Sequence, residues 1–149
     1  LPCLPVKPFL SFCRLLVHVL DEIGSTMAVL RQDVHQNIQR IEKFHESNPS
    51  TYWNMVEILR KEVKEGKAKR GHTCSKSFVW LIRSLDFSLS LLRSLAEKFD
   101  TDMGQAVQES YSLTLKPFHG WISSAAYRIA LKLLPDSRDF VNVLKGGDE

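Results

Sequence analysis

An all-α fold is predicted for this 149-residue chain on three observations. Apolar residues recur at spacings of three and four along almost the whole sequence, the period of a helix buried on one side. Glycine and proline fall at the ends of those runs, at Gly24, Pro49, Gly66, Gly71, Pro117 and Pro135, where helices stop. No stretch alternates over several residues with β-branched enrichment, so no sheet is expected, and no repeat or low-complexity tract appears.

The elements follow in order. Val6 to Ile23 carries Phe9, Phe12, Cys13, Leu16, Val19 and Leu20 on a helical period, and Gly24 ends it. Ser25 or Thr26 is placed to cap a second helix running to about Glu46. Its stripe is Leu30, Val34, Ile38 and Ile41, with Asn37 along the edge, and Asn48-Pro49 breaks it. Ser50 or Thr51 is the expected cap of a third helix, whose apolar set is Trp53, Val56, Ile58, Leu59 and Val63. A loop with basic residues spans Gly66 to Gly71. The fourth helix, about Cys74 to Lys98, is expected to be central, because Phe78, Val79, Ile82, Leu85, Leu89, Leu92 and Leu95 make it strongly apolar. Thr101 or Asp102 starts a fifth, to about Leu115. Pro117 then fixes φ and removes a donor at the junction. A sixth helix is expected over about His119 to Leu134, and a short last one over Ser137 to Leu144.

This length fits one domain, residues 1–149, with a real core. The formal charge of +3 is too small for a nucleic-acid footprint. It fits weak attraction to an anionic membrane surface, or no electrostatic partner at all. The one local basic cluster, Lys61, Lys64, Lys67, Lys69 and Arg70, reads as a solvated helix end plus loop. Three cysteines without CxxC spacing argue against a disulfide framework and against zinc, and fit reduced thiols in a cytosolic protein. The start lacks the basic segment and cleavage site of a signal peptide, and it begins with Leu rather than Met, as a fragment would. Charge interrupts every long apolar stretch, so membrane contact is expected to be peripheral.

Two polar stripes stand out. Asp33, Asn37 and Arg40 lie at i, i+4, i+7 on one helix, and Lys76, Trp80 and Arg83 repeat that spacing on another. Phe118-His119-Gly120-Trp121 follows Pro117. Hydrogen-bonding groups, cations and a tryptophan beside apolar helix faces suit a ligand with a polar head and an oily body, which describes a lipid. Each residue also has a plainer reading. Asp33 could pair with Arg31 or Arg40 on the surface, and Asn37 could be an ordinary boundary residue. Trp80 could be core, Lys76 a solvated lysine, and His119 a junction histidine bonded to backbone. Trp121 reads as core or as an interfacial anchor. Catalysis finds no support: GxSxG, HExxH and GxxxxGK[ST] are absent, so no catalytic residue, metal or cofactor is expected.

The order DVHQNIQRI, then WLIRSLDF, then PFHGWISSAA resembles the glycolipid transfer protein family, over about Pro8 to Leu144. It looks closest to the plant members related to the accelerated-cell-death ceramide phosphate carriers. The resemblance implies a two-layer all-helical sandwich holding one sphingolipid, carried between membranes without catalysis. It implies that Asp33 accepts the ceramide amide N–H and that His119 donates to the amide carbonyl. Trp80 would stack on the sugar, Asn37 would bond its hydroxyls, and Trp121 would dock on the membrane. Arg40 stands where the sugar-binding members carry lysine. Asn37 and Trp80 are of the sugar-binding type, whereas Lys76 matches a cation of the phosphate carriers, so glycosylceramide and ceramide phosphate both stay open, as does a sulfated glycolipid. The family continues for two helices beyond the segment matching Phe140 to Leu144, so the expected domain is short at its C-terminus: a fragment, or a protein with an open pocket. A monomer, cytoplasmic and peripheral at membranes, is expected. The alternative is a helical protein that senses the same lipid without transferring it.

Overall fold

The computed structural model describes residues 2–24, 27–97, 100 and 102–120. These form α1 (Val6–Ile23), α2 (Ala28–Ser47), α3 (Met55–Lys64), α4 (Cys74–Glu97), α5 (Met103–Thr114) and a 3-10 turn (Lys116–Phe118). Among the described residues there is no strand, only an isolated antiparallel bridge between Pro5 and Asn54. α2 packs against both α1 and α4, and α4 also packs against α5 and α3. The core they share includes Leu16, Leu20, Val34, Ile38, Ile41, Leu81, Phe87, Leu91, Met103 and Val107. Burying one such side chain stabilises the fold by roughly 1.5–3 kcal/mol.

The helix ends show how the sequence sets these boundaries. Gly24 closes α1 at φ 109°, a conformation that side chains with a Cβ avoid, and its N–H donates to the Leu20 carbonyl. The starts of α1 and α3 are joined. Val6 N–H donates to the Trp53 carbonyl, and Met55 N–H donates to the Leu4 carbonyl, both at 2.8 Å. Asn54 Oδ1 accepts from Leu4 N–H at 3.0 Å and from Val56 N–H at 3.1 Å, so one side chain caps α3 and holds the segment entering α1. α4 is capped from a distance. The Glu62 carboxylate on α3 accepts the Cys74 N–H at 2.9 Å, the Ser75 N–H at 2.7 Å and the Ser75 hydroxyl. A negative charge there also meets the positive end of the α4 dipole.

Several expectations are corrected. The third helix starts at Met55, capped by Asn54 and not by Ser50 or Thr51, whose segment instead turns through Thr51 and Tyr52 N–H bonds to Asn48. Trp53 therefore precedes the helix and is half exposed, and Val63 faces solvent. On α1, Phe12 is also exposed. The largest difference is on α4, whose buried residues are Cys74, Ser77, Leu81, Ser84, Phe87, Leu91 and Leu95. Val79, Ile82, Leu89 and Leu92 are exposed. The helix is apolar around most of its circumference, so period alone does not choose its inner face. Ser77 enters the interior with a partner from α2, Arg40, and buried Ser84 bonds the Trp80 carbonyl one turn back on its own helix. Ser25 and Thr26 lie outside the described residues, as do the last expected helices from residue 121 onward. His119 itself is extended after the 3-10 turn.

Candidate functional site

The α2 stripe forms a connected network. Asn37, only 6% exposed, donates through Nδ2 to the Asp33 carbonyl at 2.9 Å and lies 3.5 Å from Asp33 Oδ2. Its Oδ1 accepts from Arg40 Nη1 at 3.2 Å. The same Arg40 nitrogen donates to Ser77 Oγ at 2.8 Å, which ties α2 to α4. Neither plain partner of Asp33 is used: Arg31 pairs with Asp21, and Arg40 turns to Asn37 and Ser77.

The α4 stripe and the segment after α5 complete the patch. Trp80 is half-buried, with its ring centroid 5.6 Å from the His119 ring at a 34° tilt. Arg83 pairs with neither Asp86 nor Asp33. Its guanidinium lies 3.5 Å from the Phe118 ring centroid and 4.9 Å from that of Trp80, held by cation–π attraction. His119 Nδ1 is 3.2 Å from the Tyr111 hydroxyl. Lys76, one turn before Trp80, is exposed at the rim. Beside Asp33, the exposed side of α2 carries a shallow depression of about 420 Å³ lined by Ala28, Val29, Gln32, Asp33 and Gln36.

The electrostatics are coupled. Burial by surrounding protein pushes the Asp33 carboxyl up, against the pull of nearby His119 and Arg40, although the side chain still reaches solvent. Burial, aided by the Arg83 charge, pushes the His119 imidazole down, and Asp33 opposes the shift. The site therefore favours a neutral imidazole beside a carboxyl group. Such a pair can donate one hydrogen bond and accept another. Among the described residues no group of three or more His, Cys, Asp or Glu side chains could hold a metal ion.

Of the expected residues, Asp33, Asn37, Arg40, Trp80 and His119 are brought together, Lys76 stands at the edge, and Trp121 lies outside the described residues. The sequence reading missed Ser77, Tyr111 and Phe118. The only available signal was position: Ser77 adjoins Lys76, and Tyr111 lies eight residues before His119, across a proline junction that turns the chain back.

The profile of the family described as glycolipid transfer protein (GLTP) matches residues 4–146. Glycolipid transfer protein 3 of Arabidopsis thaliana is 56% identical over 146 residues, which make up 98% of this chain and 63% of that protein. The chain thus spans less than two thirds of the length of this relative. The structure that describes how FAPP2 selects simple glycosphingolipids using the GLTP-fold is 27% identical. It superposes with a TM-score of 0.88, over 99% of this chain and 71% of the other. A mutant of Arabidopsis ACD11 (accelerated-cell-death 11) complexed with ceramide-1-phosphate also gives 0.88, at 20% identity, over 100% of this chain and 72% of the other. At that identity the likeness is one of fold. With the family profile spanning nearly all of its length, the chain belongs to the glycolipid transfer protein family.

Proposed function

We propose that this chain, as a single domain, binds one ceramide-based lipid and carries it between membranes without catalysis. The observation that carries the reading is the convergence of Asp33, Asn37 and Arg40 from α2 with Trp80 from α4 and His119 from beyond α5 on one patch. Family membership supports the same reading. Asp33 accepts the amide N–H of the ceramide, and His119 donates to its carbonyl. Trp80 offers its ring to a sugar, and Asn37 and Arg40 bond the sugar hydroxyls. Trp121 serves as a membrane contact, and the protein works as a monomer that touches the bilayer only peripherally. No described helix is long and apolar enough to cross a membrane.

A glycosylceramide is the better supported cargo. Both guanidinium groups of the patch already have partners: Arg40 bonds Asn37 and Ser77, and Arg83 lies on Trp80 and Phe118. Among the described residues, Lys76 is the exposed cation at the rim, and as a point charge it recognises no particular phosphate geometry. The relatives named for glycolipid transfer and for simple glycosphingolipids point the same way.

The test is binding and intervesicle transfer of labelled galactosylceramide beside labelled ceramide-1-phosphate. Galactosylceramide is expected to bind and move faster. Asp33→Val should lower affinity for both lipids by about 10- to 100-fold, the loss of a charge-assisted hydrogen bond. Trp80→Ala should weaken the sugar lipid alone, and Lys76→Ala the phosphate lipid alone. Equal losses for both lipids with Trp80→Ala would make that ring merely core. Binding without transfer would leave a lipid sensor as the better reading.

A further inference from the structure

We propose that Tyr111 is a positioning residue that holds His119 in the tautomer with its proton on Nε2, so that Nε2 is the nitrogen that donates to the lipid. The inference rests on the assignment of His119 as a hydrogen-bond donor in the reading above. It adds a residue to that site, on a different helix, and says what the residue does.

The geometry starts with the Tyr111 hydroxyl, 3.2 Å from His119 Nδ1. Tyr111 is 5% exposed and sits in the last turn of α5. The 3-10 turn at Lys116–Phe118 brings the chain back, so the bond closes a loop of eight residues. A contact between a phenol and an imidazole nitrogen can run in either direction. The phenol is the stronger donor, with an ordinary pKa of about 10, and the neutral imidazole has one bare nitrogen that accepts. With O–H pointing at Nδ1, the ring proton must be on Nε2. Only a neutral ring has this choice, and its surroundings keep it neutral: burial and the Arg83 charge from α4 outweigh Asp33 from α2.

Orientation is fixed as well as protonation. The imidazole lies between two aromatic rings, with Trp80 and Tyr111 centroids both 5.6 Å away, at tilts of 34° and 48°. A ring flip would put Cδ2 where Nδ1 stands and break the Tyr111 bond. Tyr111 therefore acts on His119 twice, by packing against the ring and by selecting its proton. Among the described residues, Asp33 on α2 and Arg83 on α4 are charged groups that act on this imidazole.

The test needs no lipid at its first step. Nitrogen-15 correlation spectra of the uniformly labelled, lipid-free chain report which nitrogen of each histidine is protonated, with His119 assigned by its loss in His119→Gln. A bare Nδ1 and a protonated Nε2 are expected. Tyr111→Phe keeps the ring and removes the hydroxyl, so His119 should become a mixture of tautomers while circular dichroism stays unchanged. Affinity for galactosylceramide in vesicles should fall about three- to tenfold, the weight of one hydrogen bond. In the His119→Gln background the same Tyr111→Phe change should have no further effect, because its action runs through the histidine. A proton found on Nδ1 of the native protein would overturn the proposal, as would an equal loss of affinity in both backgrounds. If the tautomer behaves as expected but the native chain binds no ceramide-based lipid, the positioning role stands and the lipid reading falls.

Discussion

Asp33 carries the clearest conflict between stability and use. Surrounding protein pushes its carboxyl above the ordinary 3.8, against His119 and Arg40, so the folded state holds the Asp33 proton more tightly than the unfolded chain does. The resulting penalty is absent in acid and grows as pH rises through the folded value. Asp33→Asn should therefore raise the melting temperature at neutral pH, with the gain fading as pH falls toward 3.8. A gain that persists unchanged into acid would show that desolvation of this carboxyl is not its source. His119 works in the opposite sense, since its folded pKa is lowered from 6.5: any stability it contributes is complete above that pH and is lost as pH falls below it. The stripe of Asp33, Asn37 and Arg40 was legible in the sequence because polar residues on an amphipathic helix declare their own spacing. Ser77 and Tyr111 were not, since a small residue and an aromatic on apolar faces read as core until a partner is seen. The partner of Ser77 comes from another helix, 37 residues away, and that of Tyr111 from across a turn.

Helices differ in how openly they state their limits. α1 ends where Gly24 said it would, and α5 begins at Asp102, which accepts from the Gln105 N–H at 3.4 Å. α4 has Thr73 as its local cap, accepting from the Lys76 N–H at 3.2 Å, and adds Glu62, 12 residues before Cys74. Glu62 lies within the basic run that starts at Lys61, yet it is 8% exposed. The lysines around it do behave as a solvated face, Lys61 and Lys67 both pairing with Glu65. Glu62→Ala should cost about 2 kcal/mol, or a fall of roughly 4–8 °C in melting temperature for a chain of this size. Thermal unfolding followed by circular dichroism measures it, and a change within 1 °C of zero would mean that water replaces the carboxylate without loss. The inner face of α4 could not be read from period alone, because apolar residues surround it. The buried face is the one that carries Ser77 to Arg40 on α2.

At the scale of the molecule, the cysteines report how the chain closes. Cys3 is exposed, while Cys13 in α1 and Cys74 in α4 are buried, with burial pushing both thiols up to about 12. A thiol reagent at neutral pH should modify one of the three rapidly in the native state, and the other two only as fast as the structure opens. Rapid modification of Cys13 would place a local opening at the α1 face. The all-helical architecture was legible because every run shared one period, but the joints were not, since they depend on residues far apart in sequence. The joint between Leu4–Val6 and Trp53–Val56 is the plainest case. The backbone amides of Leu4, Val6, Met55 and Val56 and one asparagine side chain serve two helix starts at once, Leu4 and Asn54 meeting across 50 residues of chain. Fraying, which begins at the end of an isolated helix and stays there, cannot remain local here. When the first turn of α1 loosens, Trp53, Asn54 and Met55 each lose a bond at the entry to α3, so disorder at one helix start is felt at the other.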